Sequence, residues 1–176
     1  MNDYMLISGS GNTFTVSDNR DGHITDIKAY TKKYSTENKT DGSLFIEPST
    51  KADFRMRIIN ADGSEAEMCG NGARCAALFA YDRRIVESRL MTFETQAGII
   101  QGEVKENSLV KVQLTDPTGY RTGIKVKEAH FEGELSFINT GVPHAILLTD
   151  NVEEMDVFTV GREIRRSAVF APAGTN

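Results

Sequence analysis

The chain has no tryptophan, two cysteines, three histidines and four prolines among its 176 residues. Cys69 and Cys75 stand six apart. On one helix they would lie about 9 Å apart along the axis, beyond the roughly 7 Å between Cα atoms that a disulfide tolerates. His23, His130 and His144 are scattered, so no metal-ligand spacing appears and no metal is expected. The longest uninterrupted apolar run is Cys75 to Tyr81, far short of the ~20 residues that span a bilayer. The opening MNDYMLISGSGN has no basic region followed by an apolar stretch, so no signal peptide is expected and a cytoplasmic location is the default. Lys plus Arg is 20 against 25 Asp plus Glu, a net charge of −5 with no basic run. Nucleic acid is therefore not an expected partner, and neither is a membrane.

Hydrophobic residues make up 39% and charged residues 26%, enough for a real core. Tyr4–Ile7 reads as a strand broken by Ser8-Gly9-Ser10-Gly11-Asn12, and Phe14 and Val16 resume it. Ile24, Ile27, Tyr30, Thr31 and Tyr34 recur at helical spacing, with Thr25 or Asp26 as cap. Leu44–Glu47 reads as a strand after the turn Asp41-Gly42. Phe54, Met56 and Ile58 alternate with Arg55 and Arg57 as in a half-buried strand. From Gly72 the run GARCAALFAYDRR reads as a helix apolar all round, which must be buried on all sides, with Cys75, Leu78 and Phe79 inside. Leu90–Gln96, Ile99–Lys105 and Leu109–Leu114 form a meander pattern. Asp116-Pro117-Thr118-Gly119 is a turn and a domain boundary, giving units 1–116 and 117–176. Beyond it Ile124–Lys127, Leu135–Asn139 and Ala145–Leu148 read as strands, Phe158–Arg166 as a helix and Val169-Phe170 as a short strand.

Two stretches echo each other. Ser8, Gly9, Phe14 and Asp18 pair with Thr140, Gly141, Ile146 and Asp150, each at an offset of 132 residues. A basic helix follows in each, ending in KKYS and IRRS. Two similar halves are expected. The counterpart of Cys69 would fall near position 201, so on this reading the second half is begun and not completed.

The chemistry concentrates in Asn60 to Cys75, NADGSEAEMCGNGARC. Cys69 precedes Gly70-Asn71-Gly72, which opens the apolar helix. The first helical N–H groups lack internal partners and favour an anion. Glycines let a ligand approach those amides. The same field makes a thiol placed there more acidic, so Cys69 is expected to be the reactive thiol and Cys75 a core residue. A thiolate beside a carboxylate-binding nest is arranged to take an α-proton. An isolated cysteine is more often a small buried residue. The glycines and the helix start weigh the other way.

This signature closely resembles that of the diaminopimelate epimerases around the first of their two catalytic cysteines. GSGNTF resembles the family's opening loop, DGSLFIEPS its next block, NTGVPHA its Pro-His block and AGTN the segment before the second cysteine. The matches run in the family's order along nearly the whole chain. The resemblance implies an α+β fold of two pseudo-repeated halves, each a curled mixed sheet around a central buried helix. It implies cofactor-free conversion of L,L- to meso-diaminopimelate, for lysine and peptidoglycan precursors. One thiol removes the α-proton and the other reprotonates the opposite face. It matches Cys69 to the first thiol, and Gly70 and Asn71 to the backbone holding the reacting end. Asn12, Asn60 and Asn176 match substrate-contacting asparagines, and His144 a histidine that tunes a catalytic thiol. A homodimer is compatible with it.

The sequence also departs from the pattern. Gly42 stands where some members have a substrate-contacting glutamine, and Val142 where some have an asparagine. Lys39-Thr40 replaces a glycine-rich approach. The Glu-Arg clamp and the second Cys-Gly-[Thr/Ser]-Gly segment are absent. The chain is therefore expected to be inactive alone. Two other readings stay open: a thiol-nucleophile hydrolase or acyltransferase using Cys69, and a non-catalytic ligand-binding remnant of the fold.

Overall fold

A computed structural model describes residues 4–176; Met1–Asp3, which open the segment read for a signal peptide, lie outside it. The chain divides into two compact units between Leu114 and Thr115.

The first unit runs β1 (Met5–Gly9), β2 (Asn12–Asp18), α1 (Ile27–Asn38), β3 (Gly42–Glu47), β4 (Phe54–Asn60), β5 (Glu65–Ala66), α2 (Gly70–Asp82), β6 (Leu90–Thr95), β7 (Gly98–Val104) and β8 (Val110–Gln113). The strands form one mixed sheet in the order β1-β2-β3-β4-β6-β7-β8, with β5 on β4. β2–β3 and β4–β6 pair parallel, and the other pairs are antiparallel. The sheet curls around α2. Strand alternation explains how. Leu44 and Ile46 of β3 and Phe54, Met56 and Ile58 of β4 face α2, where they meet Ala73, Ala76, Ala77, Phe79 and Ala80. Phe45 and Ile59 point the other way, against Ile24, Ile27 and Tyr30 at α1. Phe54 and Phe93 lie opposite each other in register and stack at 5.1 Å.

The helix ends follow local chemistry. Asp26 caps α1 by accepting from Ala29 N at 2.9 Å. Lys39 closes α1 in the left-handed conformation at φ 55°, and buried Thr40 bonds back to Ser35 and on to Gly42 O. Lys39-Thr40 thus makes the approach to β3 that a glycine-rich segment would otherwise make.

Helix α2 is not buried all round. Asn71, Arg74 and Leu78 form a half-buried stripe along it. β1 and β8 are the edges of the sheet, and between them lies a groove of about 530 Å³ lined by Ile7, Ser8, Arg74, Cys75, Leu78 and Leu109. Leu78 packs on the core from that side.

The second unit contains β9 (Thr118–Lys127), β10 (Glu132–Asn139), β11 (Pro143–Ile146), α3 (Val157–Arg166) and a 3-10 turn (Ala168–Phe170). Its three strands are ordered β11-β10-β9. Three readings from sequence are corrected here. Thr118 and Gly119 begin a strand rather than finish a turn. Gly119 and Gly123 take positive φ, and β9 stays paired with β10 across two register shifts. The third strand ends at Ile146, leaving Leu147 and Leu148 outside it. Val169-Phe170 lies in the 3-10 turn, capped by Ser167 Oγ accepting from Val169 N.

The expected echo is visible as topology within each unit. β1 and β2 form a hairpin, α1 follows, and β3 returns parallel to β2. β10 and β11 form a hairpin, α3 follows, and Asn176 returns beside β11. Asn176 N donates to Pro143 O and Ala145 N to Asn176 O, both at 2.9 Å, the bond pattern of a parallel bridge to His144.

Candidate active site

Cys69 is the residue before α2. Its backbone is extended, and Sγ accepts from Gly72 N at 3.3 Å while its carbonyl accepts from Ala73 N at 2.8 Å. The sulfur occupies the place that a Ser or Asp oxygen usually takes at a helix start. Gly72 packs closely on β3, where a Cβ would stand 3.2 Å from Leu44 Cδ2 and press on that side chain. Cys69 is half-buried and unpaired with any other sulfur. Among the described residues the N–H groups of Gly70 and Asn71 have no partner, so they are two donors beside the thiol.

Asn12 heads β2 just after a two-residue turn. Ser10 and Gly11 both take positive φ, as tight hairpins require. Asn71 Nδ2 donates to Asn12 Oδ1 at 2.7 Å. Arg74 donates through one Nη to Asn71 Oδ1 and to Ser10 Oγ, the latter at 3.1 Å. Thus Asn12, Asn71, Cys69 and Gly70 are brought together. Asn60 lies at the same end of the sheet, with only β3 between its strand and that of Asn12. Across Gly42, Asn60 is in register with Phe14, two residues beyond Asn12, and two strand spacings, roughly 10 Å, separate the Asn60 and Phe14 backbones. Asn60 is exposed, in a turn where its Nδ2 donates to Ser64 Oγ at 3.0 Å.

Position 42 has no room for a glutamine. A Cβ there would lie 2.3 Å from Ile59 O, so the close approach of β4 requires glycine. The neighbouring Asp41, read from sequence only as part of a turn, is a brace. Its Oδ2 accepts from Thr13 N at 2.8 Å, its N donates to Thr13 O, and its carbonyl accepts from Ala61 N. It ties the start of β2 to the end of β4. Arg74 joins this cluster through Asn71 and Ser10. Its signal in the sequence is a lone charge in an apolar helical run, three residues after Asn71.

Cys75 is buried, with Sγ toward Ile7 O at 3.9 Å. Burial pushes its thiol up to about 11, helped by the repulsion of negative charge at Cys69. It stays protonated near neutrality.

In the second unit His144 and Asn176 meet. The main chain of Asn176 brackets His144, and Arg165 Nη1 donates to Asn176 Oδ1 at 2.6 Å. His144 Nδ1 lies 2.9 Å from Val142 O and 3.2 Å from Thr140 Oγ1. A carbonyl only accepts, so Nδ1 carries the proton and Nε2 of the neutral ring is left as an acceptor. No group of three or more His, Cys, Asp or Glu suited to a metal occurs among the described residues. No helix among them is long and apolar enough to cross a membrane.

The fold is shared with solved racemase-like proteins. A PhzF-family phenazine biosynthesis protein from Bacillus anthracis superposes with a TM-score of 0.62 at 21% identity, over 81% of this chain and 53% of that one. A probable proline racemase from Agrobacterium radiobacter K84 does so with 0.61 at 14% identity, over 92% and 54%. The chain thus has the curled-sheet, central-helix fold of that class. In sequence, a diaminopimelate epimerase from Hydrogenobaculum is 40% identical over 98% of this chain and 68% of its own length. The family model for diaminopimelate epimerase matches residues 4–119. The chain belongs to the diaminopimelate epimerase family. It spans about two thirds of the length of that relative and about half that of the solved structures.

Proposed function

We propose that this chain supplies one thiol and one amino-acid-binding end of a diaminopimelate epimerase. The observation that carries the reading is the start of α2, where Cys69 Sγ stands beside the two unpaired amides of Gly70 and Asn71. A substrate carboxylate bound to those amides would bring its α-carbon against the sulfur. The thiolate takes the α-proton: the S–H bond forms, the C–H bond breaks, and the electron pair moves toward the carboxylate. The amides and the helix dipole meet the charge that builds on its oxygens. A second thiol then protonates the opposite face. Cys75 does not fill that role, since it is buried and turned toward Ile7.

Asn12 and Asn60, at the same end of the sheet, are placed by this reading around the substrate. His144 and Asn176 form a second set that acts through the other unit. Among the described residues of the first unit the one hydrogen-bond partner of Cys69 Sγ is the Gly72 amide. No base is joined to it there, which disfavours an acyl-transfer nucleophile.

Alkylation of Cys69 by iodoacetamide tests the reading. L,L-diaminopimelate should slow it, and N12A should weaken that protection. Equal rates with and without diaminopimelate would remove the assignment.

A further inference from the structure

We propose that Arg74 is a positioning residue that sets the direction of a hydrogen-bond relay ending at Asn12. The proposal rests on the reading of Asn12 as a substrate contact and adds a cause for its orientation.

The argument is one of donors and acceptors. An Asn amide can be turned either way, since its oxygen and nitrogen differ little in shape. Two facing Asn side chains therefore have two relays of opposite direction. A guanidinium has donors only, and this breaks the tie in the same sense as the Ser10 carbonyl, which accepts from Asn71 Nδ2 at 3.5 Å. Arg74 donates to Asn71, so Asn71 must turn Oδ1 toward it. Its Nδ2 then faces Asn12 and donates to Oδ1 over 2.7 Å. Asn12 spends its oxygen on this bond, which leaves its Nδ2 hydrogens for a ligand. What Asn12 offers is thereby a donor, suited to a carboxylate oxygen and unsuited to an ammonium group.

Two further observations fit a positioning role. Arg74 is half-buried and has no carboxylate partner among the described residues. Its guanidinium is spent on neutral acceptors rather than on an ion pair. It also grips Ser10 Oγ in the turn before Asn12, so one residue fixes both the turn and the amide direction.

The test uses the 176-residue chain, isotopically labelled, with the side-chain amide resonances of Asn12 and Asn71 followed by NMR. In the unaltered chain, L,L-diaminopimelate should shift Asn12 Nδ2. R74M should move both Asn resonances and weaken binding about tenfold or more, the loss of one oriented hydrogen bond to a charged group. R74K, also a pure donor, should restore most of it. N12D is the second variant. Aspartate can still accept from Asn71, so thermal stability should stay near that of the parent while diaminopimelate binding is lost. In N12A the inner bond is gone and stability falls.

The proposal is overturned if R74M leaves the amide resonances in place, or if R74K binds as poorly as R74M. It is overturned too if N12D loses as much stability as N12A, because the relay would then run the other way. Should diaminopimelate shift nothing in the parent chain, the functional reading fails, and the resonances of R74M and the stability of N12D still decide the relay.

Discussion

A Cβ on Gly9 would stand 2.9 Å from Cys75 Sγ and 3.0 Å from Asn71 O. The β1–β2 hairpin thus rests directly on the first turns of α2, and this contact carries Asn12 to Asn71. G9A should push the hairpin off the helix. Overpacking of this kind costs about 1–3 kcal/mol, readable as a lower urea midpoint. The double variant G9A/C75A should recover only part of the loss, because the Asn71 carbonyl is backbone and cannot be trimmed. Full recovery would mean that the sulfur alone sets the spacing.

The parts of the fold legible in the sequence were those set by neighbours along the chain. Phe54, Met56 and Ile58 alternate because one face of β4 meets α2. Cys69-Gly70-Asn71-Gly72 announces a helix start because only local amides are involved. What escaped depends on distant partners. Arg74, Asn71 and Asn12 meet across 59 residues. Leu78 belongs to an apolar helix, yet it faces the gap between β1 and β8, and no local pattern shows where a sheet stops curling. Residues 118–123 lack alternation, since β9 is held by β10 across bulges rather than by a buried face.

Cys75 gives a pH prediction. Its thiol is raised in the fold from 9.0 to about 11. The folded chain therefore holds a proton that the unfolded chain releases first. Stability from this group is complete below about 9 and falls as pH rises toward about 11. Denaturant midpoints should decline over that window, and C75A should flatten the decline. In the same fold, iodoacetamide at pH 8 should label Cys69 first, since only about one Cys75 in a thousand is then a thiolate. Urea should make both react.

Glu65 predicts the acid side. Arg57 donates Nε and Nη2 to its two carboxylate oxygens at 2.7 and 2.8 Å, and this pair holds Glu65 below its usual value of 4.5. The stabilisation is present above that value and is lost as pH falls through the lowered one. E65Q should cost about 1–3 kcal/mol near neutrality. Its stability should vary less than that of the parent as pH falls below 4.5. An unchanged acid profile would show that the bidentate pair is too well solvated to matter.

Inversion at an α-carbon needs a base on one face and an acid on the other. In the proposed function Cys69 serves one face. Cys75 lies six residues along α2, about 9 Å by helix rise, and is protonated and buried. A protein acid typically contributes 10²–10⁴-fold, and each factor of ten is about 1.4 kcal/mol. Without a second thiol the barrier to net inversion should therefore rise by roughly 3–6 kcal/mol. Incubation of this chain with L,L-diaminopimelate in D₂O should give at most slow deuterium uptake at the α-carbon, with no build-up of the meso form. C69S should abolish that uptake, and C75A should leave it unchanged. Mass spectrometry with chiral separation distinguishes uptake from inversion. Brisk formation of the meso form by this polypeptide alone would show that a group other than a second thiol protonates the opposite face.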